Sequence, residues 1–247
     1  MLPNWKQLMF FKKDKIRFFC ELDEVKERYP IVPAQKIKFD WFKTSAKNFK
    51  HMADTKGAYE QISGVVKCPG VSPIMKKGYI VQSWFDLTIR FHDDGFEYFI
   101  PEGILSYLKE QGFKKTLVNG FNNAEPAHAT PIPESQFQGL LKITTPWSVS
   151  IPKGWELLLQ PIPYPDDINF SAVHGILEHG DFYHLNAIIR CNQYHREFTI
   201  PAGTPLFQMI PIKTTKTNVV FERYTNEIKK KEDRQQFDAH HQFIIKK

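Results

Sequence analysis

The sequence of 247 residues contains little cysteine and no long apolar run. Its three cysteines, Cys20, Cys68 and Cys191, are far apart and form no Cys-x-x-Cys pair. This excludes a zinc knuckle and argues against a disulfide framework. No stretch approaches the roughly 18 apolar residues of a membrane span, and the N-terminus lacks the apolar core and cleavage site of a signal peptide. We therefore expect a cytoplasmic protein with no membrane partner.

Common catalytic motifs are missing as well. The chain has no Gly-x-Ser-x-Gly elbow, no Gly-x-Gly-x-x-Gly turn and no Gly-x-x-x-x-Gly-Lys-Ser/Thr phosphate loop. The usual ATP-dependent, dinucleotide-dependent and serine-nucleophile enzymes are therefore not expected. The sequence identifies no cofactor, and it leaves open whether the protein is an enzyme.

The charge is basic but dispersed along the chain. Thirty-three Lys and Arg residues against 27 Asp and Glu give a formal charge of +6. The basic stretches Lys12–Arg17, Lys36–Lys50 and Lys229–Lys231 are interrupted by acids or lie on a predicted helix. Such stretches are typical of solvated faces, so we do not expect a nucleic-acid partner.

Aromatic residues and proline are abundant, with 21 Phe, 9 Tyr, 5 Trp and 17 Pro. This composition favours short strands joined by turns. The clearest such region is Thr145–Ile212, where Pro152-Lys153-Gly154 and Pro201-Ala202-Gly203 each predict a turn between two strands. We predict a mainly β protein, with two β-units of sandwich or β-clip type followed by a C-terminal helix.

Composition along the chain predicts four regions. Within the second of them, Tyr79–Phe91 alternates apolar and polar residues and predicts one continuous strand. The last region has no Gly or Pro, and Phe221, Tyr224 and Ile228 follow helical spacing. The regions are an extended N-terminal part (1–60), a first β-unit with its connection (61–142), a second β-unit (143–213) and a C-terminal helix (214–247).

Four histidines fall within the second β-unit, with two acidic residues between them. If their strands converge, imidazole nitrogens from several of them would form a transition-metal site. No His-x-His pair supports this, and ordinary partly buried histidines are the alternative reading. The metal candidates are His174, His179, His184 and His195, and the acidic neighbours are Glu178 and Asp181.

The C-terminal half resembles the dUTPase and dCTP deaminase family. The matching pieces are Gly175–Glu178, Ile188-Ile189 and the ending formed by Ile200, Gly203, Gln208 and Ile210. The resemblance implies a β-clip homo-oligomer that binds nucleotides between subunits. It also implies candidate ligand-binding residues, namely Glu178, Asp181, Tyr183 and Gln208. Trp155, an aromatic residue at a turn, is a separate candidate for ligand or partner contact, and filling of the core is the alternative. The Arg-Ser-Gly motif of that family is absent, and a charged segment stands where its glycine-rich arm would be.

A second resemblance covers most of the chain. The turns Pro152–Trp155 and Ile200–Pro205 look like those of an uncharacterised family of large tailed phages from marine and cyanobacterial hosts, with related domains in bacteria. It implies a phage-encoded protein of the host cytoplasm or the virion, but no activity. We therefore expect a non-enzymatic binding or assembly protein with a small ligand or a protein partner. The alternative is a nucleotide-directed or metal-dependent small-molecule enzyme.

Overall fold

The computed structural model describes residues 15–56, 70–92, 95–120, 140–165, 169–192, 197–215, 225–231 and 233–234. The chain divides into two compact units, Met1–Thr214 and Thr215–Lys247. The described part is mainly β with a few short helices, as the sequence predicts. No described helix has the length and apolar character needed to cross a membrane.

The elements of the first unit follow one another in short segments. The helices are α1 (Asp23–Arg28), α2 (Asp40–Lys56), α3 (Val71–Lys76) and α4 (Glu102–Glu110), and a 3-10 turn spans Ala34–Lys36. The strands are β1 (Arg17–Cys20), β2 (Val32–Pro33), β3 (Tyr79–Gln82), β4 (Leu87–His92), β5 (Gly95–Phe99), β6 (Val118–Gly120), β7 (Leu140–Ile143), β8 (Trp147–Ile151), β9 (Trp155–Gln160), β10 (Phe170–Ala172), β11 (Gly175–Leu177), β12 (Gly180–His184), β13 (Ala187–Cys191), β14 (Glu197–Ile200) and β15 (Pro205–Lys213).

Antiparallel pairing groups these strands into sheets. The largest described sheet has the order β11-β9-β15-β3-β2, with the long strand β15 at its centre. The others have the orders β10-β13-β7-β6, β1-β8-β12 and β14-β4-β5. Strands before and after residue 142 pair with each other, as β3 does with β15 and β4 with β14. The predicted boundary at 142 therefore does not separate the sheets, and the regional division stays a prediction.

The main core lies on one face of the central sheet. Leu157 of β9 and Met209 of β15 are both fully buried, and the register pairs Met209 with Leu159 of β9. Trp84 and Trp147 belong to the same cluster, whereas Trp155 is only partly buried against it. A second, smaller cluster covers the opposite face, where α2, α3 and the 3-10 turn pack. Burying such side chains contributes about 25 cal/mol per Å² of apolar surface.

The two predicted turns are confirmed. Gly154 has φ +86° and Gly203 has φ +87°, so each glycine takes the left-handed conformation that other residues rarely adopt. The chain reverses at both positions, joining β8 to β9 and leading from β14 into β15.

The prediction of one strand over Tyr79–Phe91 is wrong. The chain breaks at Ser83–Asp86, so β3 joins the central sheet and β4 joins a different one. The Ser83 hydroxyl donates to the carbonyl of Phe85 at 2.7 Å, and the Trp84 indole donates to the carbonyl of Thr144 at 3.2 Å. These side-chain bonds hold a bend that apolar alternation does not reveal.

In the second unit the chain is helical over 226–231. This confirms a helix near the C-terminal end. Ile228 is half-buried, whereas Phe221 and Tyr224 of the predicted apolar stripe lie outside the described residues.

Candidate functional site

A cleft of about 740 Å³ opens beside the N-terminal end of β15. Three regions of the chain form most of it: residues 36–39 at the end of the 3-10 turn, residues 161–165 and 170–172 after β9, and residues 201–206 around the Gly203 turn. Gln82 and Asn192 also line it. The central strand and its preceding turn therefore bring together segments that are far apart in the sequence.

The walls of the cleft are apolar because it lies between the two hydrophobic clusters. Phe39 and Ile162 belong to the smaller cluster, and Phe170 and Leu206 belong to the main core. Pro161, Pro165, Pro201 and Pro205 complete the lining. Proline has no backbone N–H and a fixed φ, so these segments present an apolar and conformationally restricted surface.

Hydrogen bonds hold the Gly203 side of the cleft in place. The Gln82 amide donates to the carbonyl of Gly203 at 3.0 Å, and the Gly203 N–H donates to the carbonyl of Ser83 at 2.7 Å. The Ala202 N–H donates to the Asp86 carboxylate at 2.7 Å. Because the turn is tied to the β3–β4 bend at three points, this wall is pre-formed.

The electrostatic character of the cleft comes from Lys36 and Lys38. Both are exposed, and they are the titratable side chains among its described lining residues. Neither has an ion-pair partner within the described part of the chain. The lining also includes the hydroxyls of Ser171 and Thr204. The described lining thus combines an apolar interior with two lysines that no described carboxylate pairs with.

Gln208, a predicted ligand contact, is fully buried in a polar network. Its carbonyl oxygen accepts from the Gln160 amide at 2.9 Å. Its own amide donates to the carbonyls of Ile74 at 2.7 Å and Lys77 at 2.5 Å. Gln208 therefore ties the C-terminal end of α3 to the central sheet, and its role as a ligand contact stays a prediction.

The other predicted ligand residues do not line the cleft. Asp181 and Tyr183 lie on β12, where the Asp181 carboxylate accepts from the Ser150 hydroxyl at 2.8 Å. Glu178 is exposed after β11, and Trp155 begins β9. The structure brings Asp181 and Tyr183 onto one strand, away from the cleft.

The histidines are separated in a similar way. His184 Nδ1 lies 3.1 Å from the Ser148 hydroxyl and 3.3 Å from Lys115 Nζ, and Lys115 also pairs with Glu21. An ammonium group can only donate, so it requires Nδ1 to be an acceptor. His174 and His179 are exposed, and His195 lies outside the described residues. Across the described ranges, no three His, Cys, Asp or Glu side chains are close enough to share a metal ion.

Two of the cysteines are held as thiols. Burial raises the pKa of Cys191 to about 12 and is also the main cause of the raised pKa of Cys20. The Cys20 thiol donates to the carbonyl of Leu22 at 3.2 Å. Because the thiolate is the nucleophilic form, neither cysteine is suited to covalent catalysis at neutral pH. Cys68 lies outside the described residues.

Sequence reasoning missed the cleft because no motif marks it. Its lining comes mostly from three stretches that carry no catalytic pattern. The available signals were the alternation Lys36-Ile37-Lys38-Phe39 and the prolines after β9. Neither signal shows that the stretches meet.

Comparison with known proteins finds a partial likeness to phage dUTPases. A point mutant of the dUTPase from phage phi11 of S. aureus is 16% identical, with a TM-score of 0.27, over 34% of this chain and 72% of that one. A mutant dUTPase from Staphylococcus bacteriophage 80alpha, solved with dUpNHpp, is 16% identical, with a TM-score of 0.27, over 35% of this chain and 68% of that one. No protein-family model and no curated protein matches the chain. The likeness is a weak resemblance of fold and implies nothing about activity.

Proposed function

We propose that this protein is a non-enzymatic binding protein whose cleft takes a small anionic molecule with a flat apolar body. The observation that carries the proposal is the combination of apolar walls with Lys36 and Lys38 in one pre-formed cleft. The phage-family resemblance of the Pro152–Trp155 and Ile200–Pro205 turns supports a phage-type setting for this activity.

The size and lining of the cleft suit a small molecule. Ligand pockets typically measure about 300–1,000 Å³ and are mostly apolar, with a few polar groups that orient the ligand. A volume of about 740 Å³ falls within this range. Burial of a flat ring against the apolar lining, which includes Phe39 and Phe170, would supply most of the affinity, at about 25 cal/mol per Å² of apolar surface. The two ammonium groups would select an acidic headgroup.

The lining supports binding more than catalysis. General acid–base chemistry usually needs a His or a carboxylate with a tuned pKa, and nucleophilic chemistry needs a base beside the nucleophile. The described lining places no carboxylate or imidazole beside the Ser171 hydroxyl. Nucleoside triphosphates belong to the same ligand class, since they join a flat base to phosphates. A nucleotide-directed enzyme is therefore the second candidate.

The test is a fluorescence titration with 8-anilinonaphthalene-1-sulfonate, a flat apolar probe with one negative charge. We expect saturable binding that weakens roughly fivefold to tenfold in Lys36→Gln/Lys38→Gln, because two partly exposed charge contacts together contribute about 1–1.4 kcal/mol. Ser171→Trp should fill the cleft and remove binding. The matched control is Lys109→Gln/Lys114→Gln, which changes the net charge equally at exposed positions outside the cleft and should bind the probe like the natural protein.

Two results would contradict the cleft as the binding site. One is an equal loss of probe affinity in the two double lysine variants. The other is unchanged probe binding in Ser171→Trp, provided that urea unfolding shows this variant to be folded. Competition by dUTP and dCTP is measured in the same titration, with pyrophosphate release followed in parallel. Competition without release supports binding alone. Release that is lost in Ser171→Trp would instead support the nucleotide-directed enzyme.

A further inference from the structure

A second concave surface lies at the other end of β15. Strand β3 begins at Tyr79, whose register partner is Met209, so residues 210–213 of β15 have β9 on one side only. Their other side opens into a groove of about 700 Å³. The opposite wall consists of residues 76–79, together with Pro33 and Gln35. Among the described residues, the groove is therefore the part of the β15 edge that β3 does not cover.

Three lysines line this groove: Lys76 and Lys77 from the end of α3, and Lys213 from the end of β15. All three are exposed, and none forms an ion pair with a described carboxylate. The described lining includes no Asp or Glu. The fold thus concentrates positive charge that the sequence distributes over two distant segments.

The open edge is poorly suited to pairing with another strand. Pro211 has no N–H to donate, and lysine side chains on an edge disfavour strand addition. An anionic partner that approaches the ammonium groups, by contrast, meets no competing carboxylate in the described lining. The groove therefore favours recognition of a negatively charged partner over extension of the sheet.

The turn that carries two of these lysines is held rigidly. Gly78 has φ +71°, and a Cβ at this position would overlap the carbonyl oxygen of Met209. The Gly78 carbonyl accepts from the Ala34 N–H at 3.0 Å, and the Lys77 carbonyl accepts from the buried Gln208 amide. The backbone of Lys76 and Lys77 is therefore pre-positioned, and only their side chains need to order on binding.

We propose, contrary to the expectation drawn from the dispersed charge of the sequence, that this groove binds the phosphodiester backbone of a single-stranded nucleic acid. Lysine is a common phosphate contact, and three lysines along one groove match the repeated charge of such a chain. The Tyr79 ring packs against Phe18 with centroids 5.8 Å apart, and its exposed part, 37% of the residue, is the surface at the groove on which a base can stack. The concave strand edge fits a flexible single strand better than the convex surface of a duplex. This site shares no lysine with the cleft and does not depend on the function proposed for it.

The test is fluorescence anisotropy with a labelled dT20 oligonucleotide. Three phosphate contacts on a single strand give a slope near −2 in log K against log salt, so affinity should fall about 20-fold between 50 and 200 mM NaCl. In Lys76→Gln/Lys77→Gln/Lys213→Gln, affinity at 50 mM NaCl should fall at least tenfold and the salt slope should approach zero. The matched control is Lys26→Gln/Lys109→Gln/Lys114→Gln, which lowers the net charge equally at exposed positions outside the groove.

Each possible result of this titration either supports or overturns the proposed nucleic-acid site. A large loss in the groove variant with less than threefold loss in the control supports it, as does weaker binding of a duplex of the same length. No binding of dT20 by the natural protein at 50 mM NaCl overturns it. Equal losses in the two triple variants also overturn it, because they would show attraction by net charge alone. Tighter binding of the duplex would exclude a single strand as the preferred partner.

Discussion

The cleft and the lysine groove share the segment Pro33–Phe39 as a wall, yet the two concavities differ in chemistry. Pro33 and Gln35 face the groove, whereas Lys36, Ile37, Lys38 and Phe39 face the cleft. The cleft is underlain by apolar core residues such as Phe170 and Leu206. The groove is underlain by the Gln160–Gln208 network and the Gly78 turn. One short segment therefore separates two concave surfaces with different linings.

The difference also shows what supports each site. Apolar packing from two clusters shapes most of the cleft, and hydrogen bonds hold only its Gly203 wall, so its form depends mainly on side-chain volume and the exclusion of water. A few hydrogen bonds and one left-handed glycine shape the groove. Its form should therefore be sensitive to the loss of one hydrogen bond or the addition of one methyl group. The predictions that follow change one support at a time.

The largest effect should come from Gly78→Ala on the groove side. An alanine there would take a disfavoured positive φ, and its Cβ would overlap the backbone carbonyl of Met209. Because backbone on a central strand moves only at high cost, we expect the free energy of unfolding to fall by about 3 kcal/mol or more. Urea unfolding measures this change.

Gly70→Ala is the control for that substitution. Gly70 has φ −87°, and a Cβ there meets nothing within 4 Å. We expect no loss, or a gain of about 0.4–1 kcal/mol, because alanine restricts the unfolded chain more than glycine does. If both alanine variants unfold alike, the Gly78 turn does not support the groove.

The second largest loss of stability should come from Gln208→Leu. Leucine would leave the carbonyls of Ile74 and Lys77 and the Gln160 amide without their donor or acceptor. Each unsatisfied buried group costs about 1–3 kcal/mol, so we expect a loss of about 3 kcal/mol, with partial relief by water. Gln160→Leu, which deprives only the Gln208 carbonyl oxygen, should cost about half as much.

The double variant Gln160→Leu/Gln208→Leu sharpens this comparison. Residues in one hydrogen-bond network are non-additive by about 0.5–3 kcal/mol, so the double variant should lose less than the sum of the two single losses. Additive losses would show that the two glutamines act independently. If Gln208→Leu weakens dT20 binding but leaves probe binding in the cleft unchanged, the glutamine network supports the groove and not the cleft.

Much of the architecture was predictable because it rests on local rules. The turns at Gly154 and Gly203 follow from the conformational freedom of glycine after a proline-set bend. The β-rich class follows from the alternation of apolar residues. The break at Ser83–Asp86 could not be predicted, because the bonds that hold it reach the carbonyls of Phe85 and Thr144. One of these partners is distant in sequence and leaves no local signal.

The sites were harder to predict because tertiary pairing creates them. Lys76 and Lys213 share a groove only because β15 pairs with β3 and then extends past it. The predicted histidines lie close in sequence, but His174, His179 and His184 form no metal cluster with the other described residues. Proximity along a chain of antiparallel hairpins does not place side chains on the same face.

The smallest effect should be a pH dependence of the free energy of unfolding, caused by ionisation of Cys191 beside the cleft. Its register partner is Phe170, a cleft wall residue, and burial raises the pKa of the thiol from an ordinary value of 9.0 to about 12. The unfolded chain loses this proton at lower pH than the folded chain. The contribution of the buried thiol to the free energy of unfolding is therefore fully present below pH 9. It is lost as the pH rises toward 12, by about 1.4 kcal/mol per pH unit.

Cys191→Ala isolates this contribution from other groups that titrate in alkali. Urea unfolding of both proteins at pH 7 and at pH 10 gives, at each pH, the difference in free energy of unfolding between the natural protein and the variant. The advantage of the natural protein should shrink by about 1.4 kcal/mol between these two pH values, because the alanine variant has no thiol to ionise at this position. A difference that stays constant would mean that water reaches the thiol, and the cleft would then lack the dry apolar floor that distinguishes it from the groove.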